Sequence, residues 1–210
     1  MIEINVLTGT MLETNNYVLI DGNKAVLIEA SITPGSLGEI LQGKKLAAIL
    51  LTHGHWDHYW EIENLAKEFP CPIYMTKEAF EKINKKEKAF AADRNPKVDL
   101  TPFDVKFIKN DDELKFGKEL NFKVIKTPGH TNCSVCYILE SKKNSIVFTG
   151  DLIFKDGVGR SDLPTGNFEE LKSSIKKILP LGDETLLLSG HGSPTTLGEE
   201  REKRKNFLYA

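Results

Sequence analysis

Four apolar segments of this chain each end in a short polar turn that carries a histidine or an aspartate. They are Leu46–Leu51 before His53, Phe122–Ile125 before His130, Ile146–Phe148 before Asp151, and Leu186–Leu188 before His191. Short apolar runs bounded by turn residues predict buried β-strands. Loops at the carboxyl ends of strands can present side chains from distant parts of a chain to one point. We therefore expect these four turns to converge in space.

All five histidines fall within these turns, and two aspartates accompany them. The set is His53, His55, Asp57 and His58 in T-H-G-H-W-D-H, His130 in T-P-G-H-T, Asp151 in T-G-D and His191 in S-G-H-G. Imidazole and carboxylate groups are ligands of borderline divalent transition metals. The sequence therefore predicts a metal site.

The spacing of these residues favours two metal ions. His53 and His55 alternate along an extended segment, so both imidazoles lie on one side and can bind one ion. Asp57 and His58 lie at the turn into the next helix and should face a second ion, as two-metal hydrolytic sites require. His130 then completes the first set, His191 completes the second, and Asp151 bridges the two.

The remaining pattern predicts an α/β (α+β) chain. Asp21–Lys24 is a turn signal between the strands Asn16–Ile20 and Ala25–Ile28. Predicted helices span Pro34–Leu41, Asp57–Phe69, Lys77 to about Phe90, and the segment from a capping box at Asn167–Glu170 to Pro180; further strands are predicted at Val105–Ile108, Asn121–Ile125, Val135–Leu139, Ser145–Phe148 and Thr185–Leu188.

Composition narrows the functional classes. The 210 residues fit one domain spanning residues 1–210, and a net charge of -2 gives no electrostatic reason to bind nucleic acid. The longest apolar run, Leu46–Leu51, is too short to cross a bilayer, so no membrane partner is expected. The first three residues lack a signal-peptide profile, and three cysteines do not suggest a disulfide framework. We expect a cytoplasmic protein with reduced thiols.

These motifs, in this order, resemble the metallo-β-lactamase superfamily. Within it, the segments Gly159–Pro164 and Thr195–Glu200 are similar to those of the short glyoxalase II-like (hydroxyacylglutathione hydrolase-like) group. The resemblance implies a four-layer αβ/βα sandwich of two mixed sheets, with the metal site along one edge.

The resemblance also implies an activity and the roles of the site residues. His53, His55 and His130 would bind one ion, Asp57, His58 and His191 the other, and Asp151 both; Asp57 and Asp151 are the candidate catalytic carboxylates. Two divalent ions are implied, zinc first and iron or manganese as alternatives. A metal-bound hydroxide would cleave a small acyl thioester. The protein would act as a monomer or a small homo-oligomer.

The chain departs from the family pattern at several places. Full glyoxalase II enzymes add a C-terminal helical domain that supplies much of the glutathione contact, so glutathione dependence stays open. Tyr59 and Trp60 replace small residues after the histidine cluster, Cys133 stands where a glycine often follows P-G-H-T, and Glu29 stands where the family usually has aspartate. These changes affect the pocket more than the ligands.

Two other functions remain open. Persulfide dioxygenases resemble this chain through the same motifs but use one iron ion held by two histidines and one aspartate. A non-catalytic metal-dependent binding module is the third hypothesis, and the intact ligand set argues against it.

Four features outside the ligand set have competing interpretations. Arg160 is a candidate clamp for a substrate carboxylate or a structural partner of Asp162. Tyr59 and Trp60 are candidate substrate contacts, although helix packing is the simpler interpretation. The pattern at Cys133–Cys136 lacks a second cysteine pair, which favours packing. The Lys77–Lys88 segment alternates lysine with glutamate, which favours a solvated helix face.

Overall fold

The computed structural model describes residues 2–84, 97–140 and 144–204, and two mixed six-stranded sheets organise this part of the chain. The first sheet contains, in spatial order, β1 (Glu3–Thr8), β2 (Asn15–Asp21), β3 (Lys24–Ile28), β4 (Lys45–Leu50), β5 (Ile73–Met75) and β6 (Val105–Phe107). Strands β1 to β3 pair antiparallel, and β3 to β6 pair parallel.

The second sheet follows a different order. Its strands are β7 (Glu113–Lys115), β8 (Asn121–Lys126), β9 (Val135–Leu139), β10 (Ile146–Gly150), β13 (Leu186–Ser189) and β14 (Thr195–Thr196), arranged as β14-β13-β10-β9-β8-β7. Strands β10 and β13 pair parallel, and the other neighbours pair antiparallel. A separate two-stranded hairpin, β11 (Ile153–Phe154) and β12 (Gly157–Val158), lies between β10 and β13 in the chain.

Six helices complete the described residues: α1 (Pro34–Leu41), α2 (Trp56–Tyr59), α3 (Ile62–Glu68), α4 (Lys77–Asn84), α5 (Phe168–Ile178) and α6 (Leu197–Lys203). Helix α1 has the predicted bounds. Half of the predicted capping box is present at α5, where Asn167 Oδ1 accepts a hydrogen bond of 3.1 Å from the Glu170 backbone N–H. The Asn167 N–H donates to the Gly129 carbonyl at 2.8 Å instead of to the Glu170 side chain. The bond from the Glu170 N–H satisfies one of the free N–H groups at the helix start.

Side chains that alternate between the two faces of each strand allow each sheet to pack against the other sheet on one face and against helices on the other, which gives four layers. In β2, Val18 and Leu19 are fully buried but point to opposite faces, as successive strand residues must. Val18 belongs to a core shared with Leu37 of α1, whereas Leu19 belongs to a core shared with Phe122 of the second sheet. Ile175 of α5 packs in a third core on the outer face of that sheet. The predicted αβ/βα sandwich is confirmed.

The prediction of one helix over Asp57–Phe69 is wrong in one respect, because the structure has two helices there, α2 and α3. The backbone N–H of Ala30 donates to the His58 carbonyl at 2.7 Å, and the Glu61 N–H donates back to the Ala30 carbonyl at 2.9 Å. Ala30 lies in the loop after β3, and these two bonds take backbone groups that a continuous helix would use internally. The break therefore fixes the turn that carries the histidine cluster against the first sheet.

Other predictions need smaller corrections. Seven elements were not predicted: β1, β5, β7, β11, β12, β14 and α6. Helix α4 begins at Lys77 as predicted, but the predicted continuation from 85 to about Phe90 lies outside the described residues. The solvated-face interpretation is wrong for Lys82, which is only 8% exposed. No helix in the described ranges is long and apolar enough to cross a membrane.

Candidate metal centre

The four turns converge at one edge of the sandwich, as the strand pattern predicts. The T-H-G-H-W-D-H turn follows β4, the His130 turn follows β8, Asp151 follows the end of β10, and His191 follows β13. All seven predicted ligands fall into two sets, within each of which the potential ligand atoms lie within 4.8 Å of one another: His53, His55, His130 and Asp151, and Asp57, His58 and His191.

The first set is tightly grouped. His130 Nε2 lies 2.9 Å from His55 Nδ1 and 3.3 Å from Asp151 Oδ2. The ring centroids of His53 and His55 are 4.7 Å apart, and those of His53 and His130 are 5.0 Å apart. Three imidazoles and one carboxylate therefore point to one small volume.

The second set contacts the same aspartate. Asp57 Oδ2 lies 3.4 Å from His58 Nε2 and 3.3 Å from His191 Nε2. Asp151 Oδ1 lies 3.4 Å from His58 Nε2, and Asp151 Oδ2 lies 3.7 Å from His191 Nε2. One carboxylate is thus in contact with histidines of both sets.

Buried polar atoms without hydrogen-bond partners indicate that this arrangement fits metal ions. Among the described residues, these atoms are His53 Nε2, both ring nitrogens of His58, and Asp151 Oδ1. Burying a polar group without a partner costs about 1–3 kcal/mol, so such a concentration is destabilising unless something binds there. Nitrogen and oxygen donors without sulfur suit zinc, iron and manganese.

Contacts on the outer side of the rings orient these ligands. His130 Nδ1 lies 2.7 Å from the Arg160 carbonyl oxygen, and His191 Nδ1 lies 3.0 Å from the Leu12 carbonyl oxygen. Each carbonyl accepts the proton on Nδ1, which leaves Nε2 as the lone-pair donor. The backbone of two distant loops therefore fixes the ring orientation, and the sequence carries no signal for such contacts.

Glu29 lies behind His58 of the second set, at ion-pair distance but without hydrogen-bond geometry. It is 1% exposed, its Oε1 lies 3.2 Å from His58 Nδ1, and the same atom accepts a hydrogen bond of 2.5 Å from Thr52 Oγ1. Its backbone φ is 66°, a left-handed conformation that is uncommon outside glycine. In the sequence, Glu29 stands out only as a departure from the family pattern, whereas the structure places its carboxylate against the ring of His58.

Three imidazoles are held in the neutral form. Burial lowers the pKa of His53 well below its usual range, and the nearby His58 and His55 lower it further. Burial also lowers the pKa of His55 to about 3, with contributions from His130 and the buried Lys82. The pKa of His130 is lowered by burial as well. Neutral imidazole is the form that binds a metal ion.

The two carboxylates are held in the ionised form. Burial opposes ionisation of Asp57, but His58 and His191 outweigh it and lower its pKa to about 2. The pKa of Asp151 also falls well below its usual range, because His58 and His130 outweigh burial. The same pairing, against the effect of burial, raises the pKa of His58 well above its usual range. A cation that bound here would displace that proton.

A cavity of about 360 Å³ opens onto the two sets. Five predicted ligands line it: His55, Asp57, His130, Asp151 and His191. The other lining residues are Leu12, Trp56, Phe154, Val158, Leu163 and Arg160. A pocket that combines apolar walls with a few convergent polar groups is the usual form of a small-molecule site.

The candidate substrate contacts have different positions. Arg160 lines the cavity, and its guanidinium forms a two-bond ion pair with Asp162, at 2.8 and 2.6 Å. Tyr59 is 2% exposed in the core between the first sheet and its helices, and Trp60 packs against that core. Neither lines the cavity, whereas the neighbouring Trp56 does. The helix-packing interpretation of Tyr59 and Trp60 agrees with these positions. The sequence did not single out Trp56, because its pattern does not resolve the phase of this short helix.

The cysteine pattern is structural. Cys133 and Cys136 are both fully buried and free, and they lie in different cores on opposite sides of the fold. Burial raises the pKa of the Cys136 thiol to about 12. Packing is therefore the role that the structure gives them.

Known proteins share this sequence and fold. The model of the metallo-beta-lactamase superfamily matches residues 9–191. Hydroxyacylglutathione hydrolase GloC of Haemophilus influenzae is 35% identical over 97% of this chain and 96% of its own length. The solved structure of BLEG-1 B3 metallo-beta-lactamase is 30% identical, with a TM-score of 0.81 over 99% of this chain and 100% of that one. The solved structure of TTHA1623 in a di-iron-bound form is 32% identical, with a TM-score of 0.82 over 95% of this chain and 98% of that one. This chain belongs to the metallo-beta-lactamase superfamily.

Proposed function

We propose that this protein is a binuclear metal-dependent hydrolase that cleaves small acyl thioesters. The observation that carries the proposal is the position of Asp151, whose Oδ1 lies 3.4 Å from His58 Nε2 and whose Oδ2 lies 3.3 Å from His130 Nε2. A carboxylate shared between two ligand sets is what a pair of adjacent ions needs, since it balances charge at both.

The two sets would hold two ions. His53, His55 and His130 would hold one, Asp57, His58 and His191 the other, and Asp151 both. Zinc is the first candidate, with iron and manganese as alternatives that the same donors accept. Such ions, when bound, activate water as a nucleophile near neutral pH and stabilise negative charge on an acyl oxygen.

The side chains around the ligands complete the site. Trp56 and Phe154 give the cavity apolar walls, which exclude bulk water and strengthen electrostatic interactions at its base. Asp57 also lines the cavity, and its carboxylate is the group we assign to accept the proton of the attacking water. Asp151 orients His58 and His130 by direct contact.

The likeness to GloC supports the substrate class. The name of that relative states hydroxyacylglutathione hydrolase activity, and the alignment spans nearly all of both chains. The partner implied for this protein is a small-molecule thioester, and neither nucleic acid nor a membrane is needed for the reaction. A cytoplasmic location remains part of the proposal.

Thioester hydrolysis in a panel of substrates tests the proposal. Metal-replete protein is assayed with S-lactoylglutathione and simple acyl thioesters by following thiol release, with a chromogenic β-lactam as a comparison substrate. We expect thioester hydrolysis that a chelator abolishes and added metal restores. The Asp151→Asn variant should lose activity, and Asp104→Asn, which changes an exposed carboxylate paired with Lys106, should keep it. Folded, metal-replete protein that hydrolyses no thioester would refute the proposal.

Metal analysis distinguishes the proposed hydrolase from the alternative function, an iron-dependent oxidoreductase similar to persulfide dioxygenases. The di-iron form of TTHA1623 is the observation that keeps iron in consideration. Protein purified without added metal is analysed for metal content and for oxygen uptake with glutathione persulfide. About one iron per chain together with oxygen uptake would replace the hydrolase assignment.

A further inference from the structure

We infer that the cavity is an acyl pocket that selects apolar acyl groups, with Leu12, Phe154 and Leu163 as specificity residues. The inference rests on the proposed function and names the substrate class more closely. Its basis is the composition of the cavity wall. Apart from the five predicted ligands and Arg160, every described residue that lines the cavity is apolar.

Outside the ligand set, the cavity wall offers one charged side chain to an anionic acyl group. Arg160 is the cation that lines the cavity apart from the ligand histidines, and its guanidinium already binds both carboxylate oxygens of Asp162. A substrate carboxylate would have to compete with this pair. An apolar chain needs no partner and gains free energy from leaving water.

Leu12 occupies an unusual position for a large apolar side chain. It is 59% exposed, lines the cavity, and has a φ of 51°. Its carbonyl oxygen accepts the hydrogen bond from His191 Nδ1, and the loop is closed by a bond of 2.7 Å from the Gly9 N–H to the Thr14 carbonyl. The side chain is thus held at the mouth of the cavity, where an apolar substrate would cover it.

Another part of the wall is built by the hairpin and the segment after it. Phe154 and Val158 lie on β11 and β12, and the Phe154 ring centroid is 6.2 Å from that of His191. Leu163 lies in a compact turn closed by a bond of 2.8 Å from the Gly166 N–H to the Leu163 carbonyl. These side chains face the cavity beside the ligands, so an acyl chain bound along them would place its carbonyl near the metal-binding residues.

A series of acyl thioesters on one thiol tests the inference. N-acetylcysteamine thioesters from acetyl to hexanoyl differ only in methylene groups, and each buried methylene should raise kcat/KM about fourfold. A binding measurement uses the matching S-alkyl thioethers, which cannot be hydrolysed. Their Kd should fall by a similar factor per methylene, with a negative heat-capacity change.

Leu12→Asn and Glu13→Asn form a matched pair. Both positions have left-handed φ values, 51° and 54°, which asparagine tolerates, so both variants should fold. Only Leu12 lines the cavity. We expect Leu12→Asn to lower kcat/KM for the hexanoyl substrate about tenfold with little change for acetyl, and Glu13→Asn to leave both unchanged.

The outcomes separate the two proposals. If no thioester is hydrolysed, S-lactoylglutathione included, the proposed function fails, and the thioether binding still tests the pocket. If thioesters are hydrolysed but neither kcat/KM nor thioether Kd depends on chain length, the acyl pocket is refuted alone. Equal effects of Leu12→Asn and Glu13→Asn would also overturn the assignment of Leu12.

Discussion

Gly190 is the position where one methyl group should damage the metal centre most directly. A Cβ added there would overlap Asp151 Oδ1 and lie 2.6 Å from His58 Cε1. Carbon atoms in contact normally lie about 3.5–4.0 Å apart, so the Gly190→Ala substitution must displace the imidazole, the carboxylate or the β13 turn by roughly 1 Å. The turn is itself fixed, because the Gly190 N–H donates to the Gly150 carbonyl at 2.9 Å.

The expected loss follows from this displacement. Changes that misplace metal ligands through their surroundings cost about 10–100-fold in metal affinity, or about 1.4–2.7 kcal/mol. Gly182→Ala is the matched control, because a Cβ at Gly182 meets no atom within 4 Å. Zinc affinity is measured by competition with a chromophoric chelator, and folding of the metal-free proteins by thermal unfolding. Wild-type zinc affinity in a folded Gly190→Ala variant would refute the geometry of the site.

Three further predictions concern residues around the site and the fold. Glu29→Gln should weaken metal binding about tenfold, because it removes the charge next to His58 Nδ1, and chelator competition checks this; unchanged affinity would contradict the role of Glu29. Asn167→Ala should lower the free energy of unfolding by about 1 kcal/mol through loss of the helix cap, as urea denaturation measures, without changing metal affinity. Burial raises the pKa of Cys136 to about 12, so its thiol stays protonated at pH 8 and becomes reactive only as pH rises toward that value. Iodoacetamide should therefore label it at pH 8 in unfolded but not in folded protein, and rapid labelling of the native state would disprove this.

The grouping of the seven candidate ligands could be predicted from sequence because their chemistry and their placement coincide. Each ligand follows an apolar strand, and a strand pattern specifies where its carboxyl end lies. The hairpin at Asp21–Lys24 and helix α1 were predictable for a similar reason, since turn residues and helical spacing are local signals.

The missed features depend on contacts between distant segments. The break between α2 and α3 is made by backbone bonds to Ala30, which the local helical pattern cannot reveal. The burial of Lys82 depends on how α4 packs beside the histidine cluster. The side chains of strand β1 are exposed or half-buried, as is typical of a strand at a sheet edge. Its sequence therefore shows only a weak apolar pattern. The apolar cavity wall likewise joins residues from four separate segments.

Anomalous scattering at the zinc edge from crystals of zinc-loaded protein tests whether the site is binuclear. We expect two peaks about 3.5–4 Å apart. One should lie about 2.0–2.2 Å from ligand atoms of His53, His55 and His130, the other at similar distances from Asp57, His58 and His191, and Asp151 should contact both. A single peak, or a peak that Asp151 does not contact, would contradict a binuclear centre.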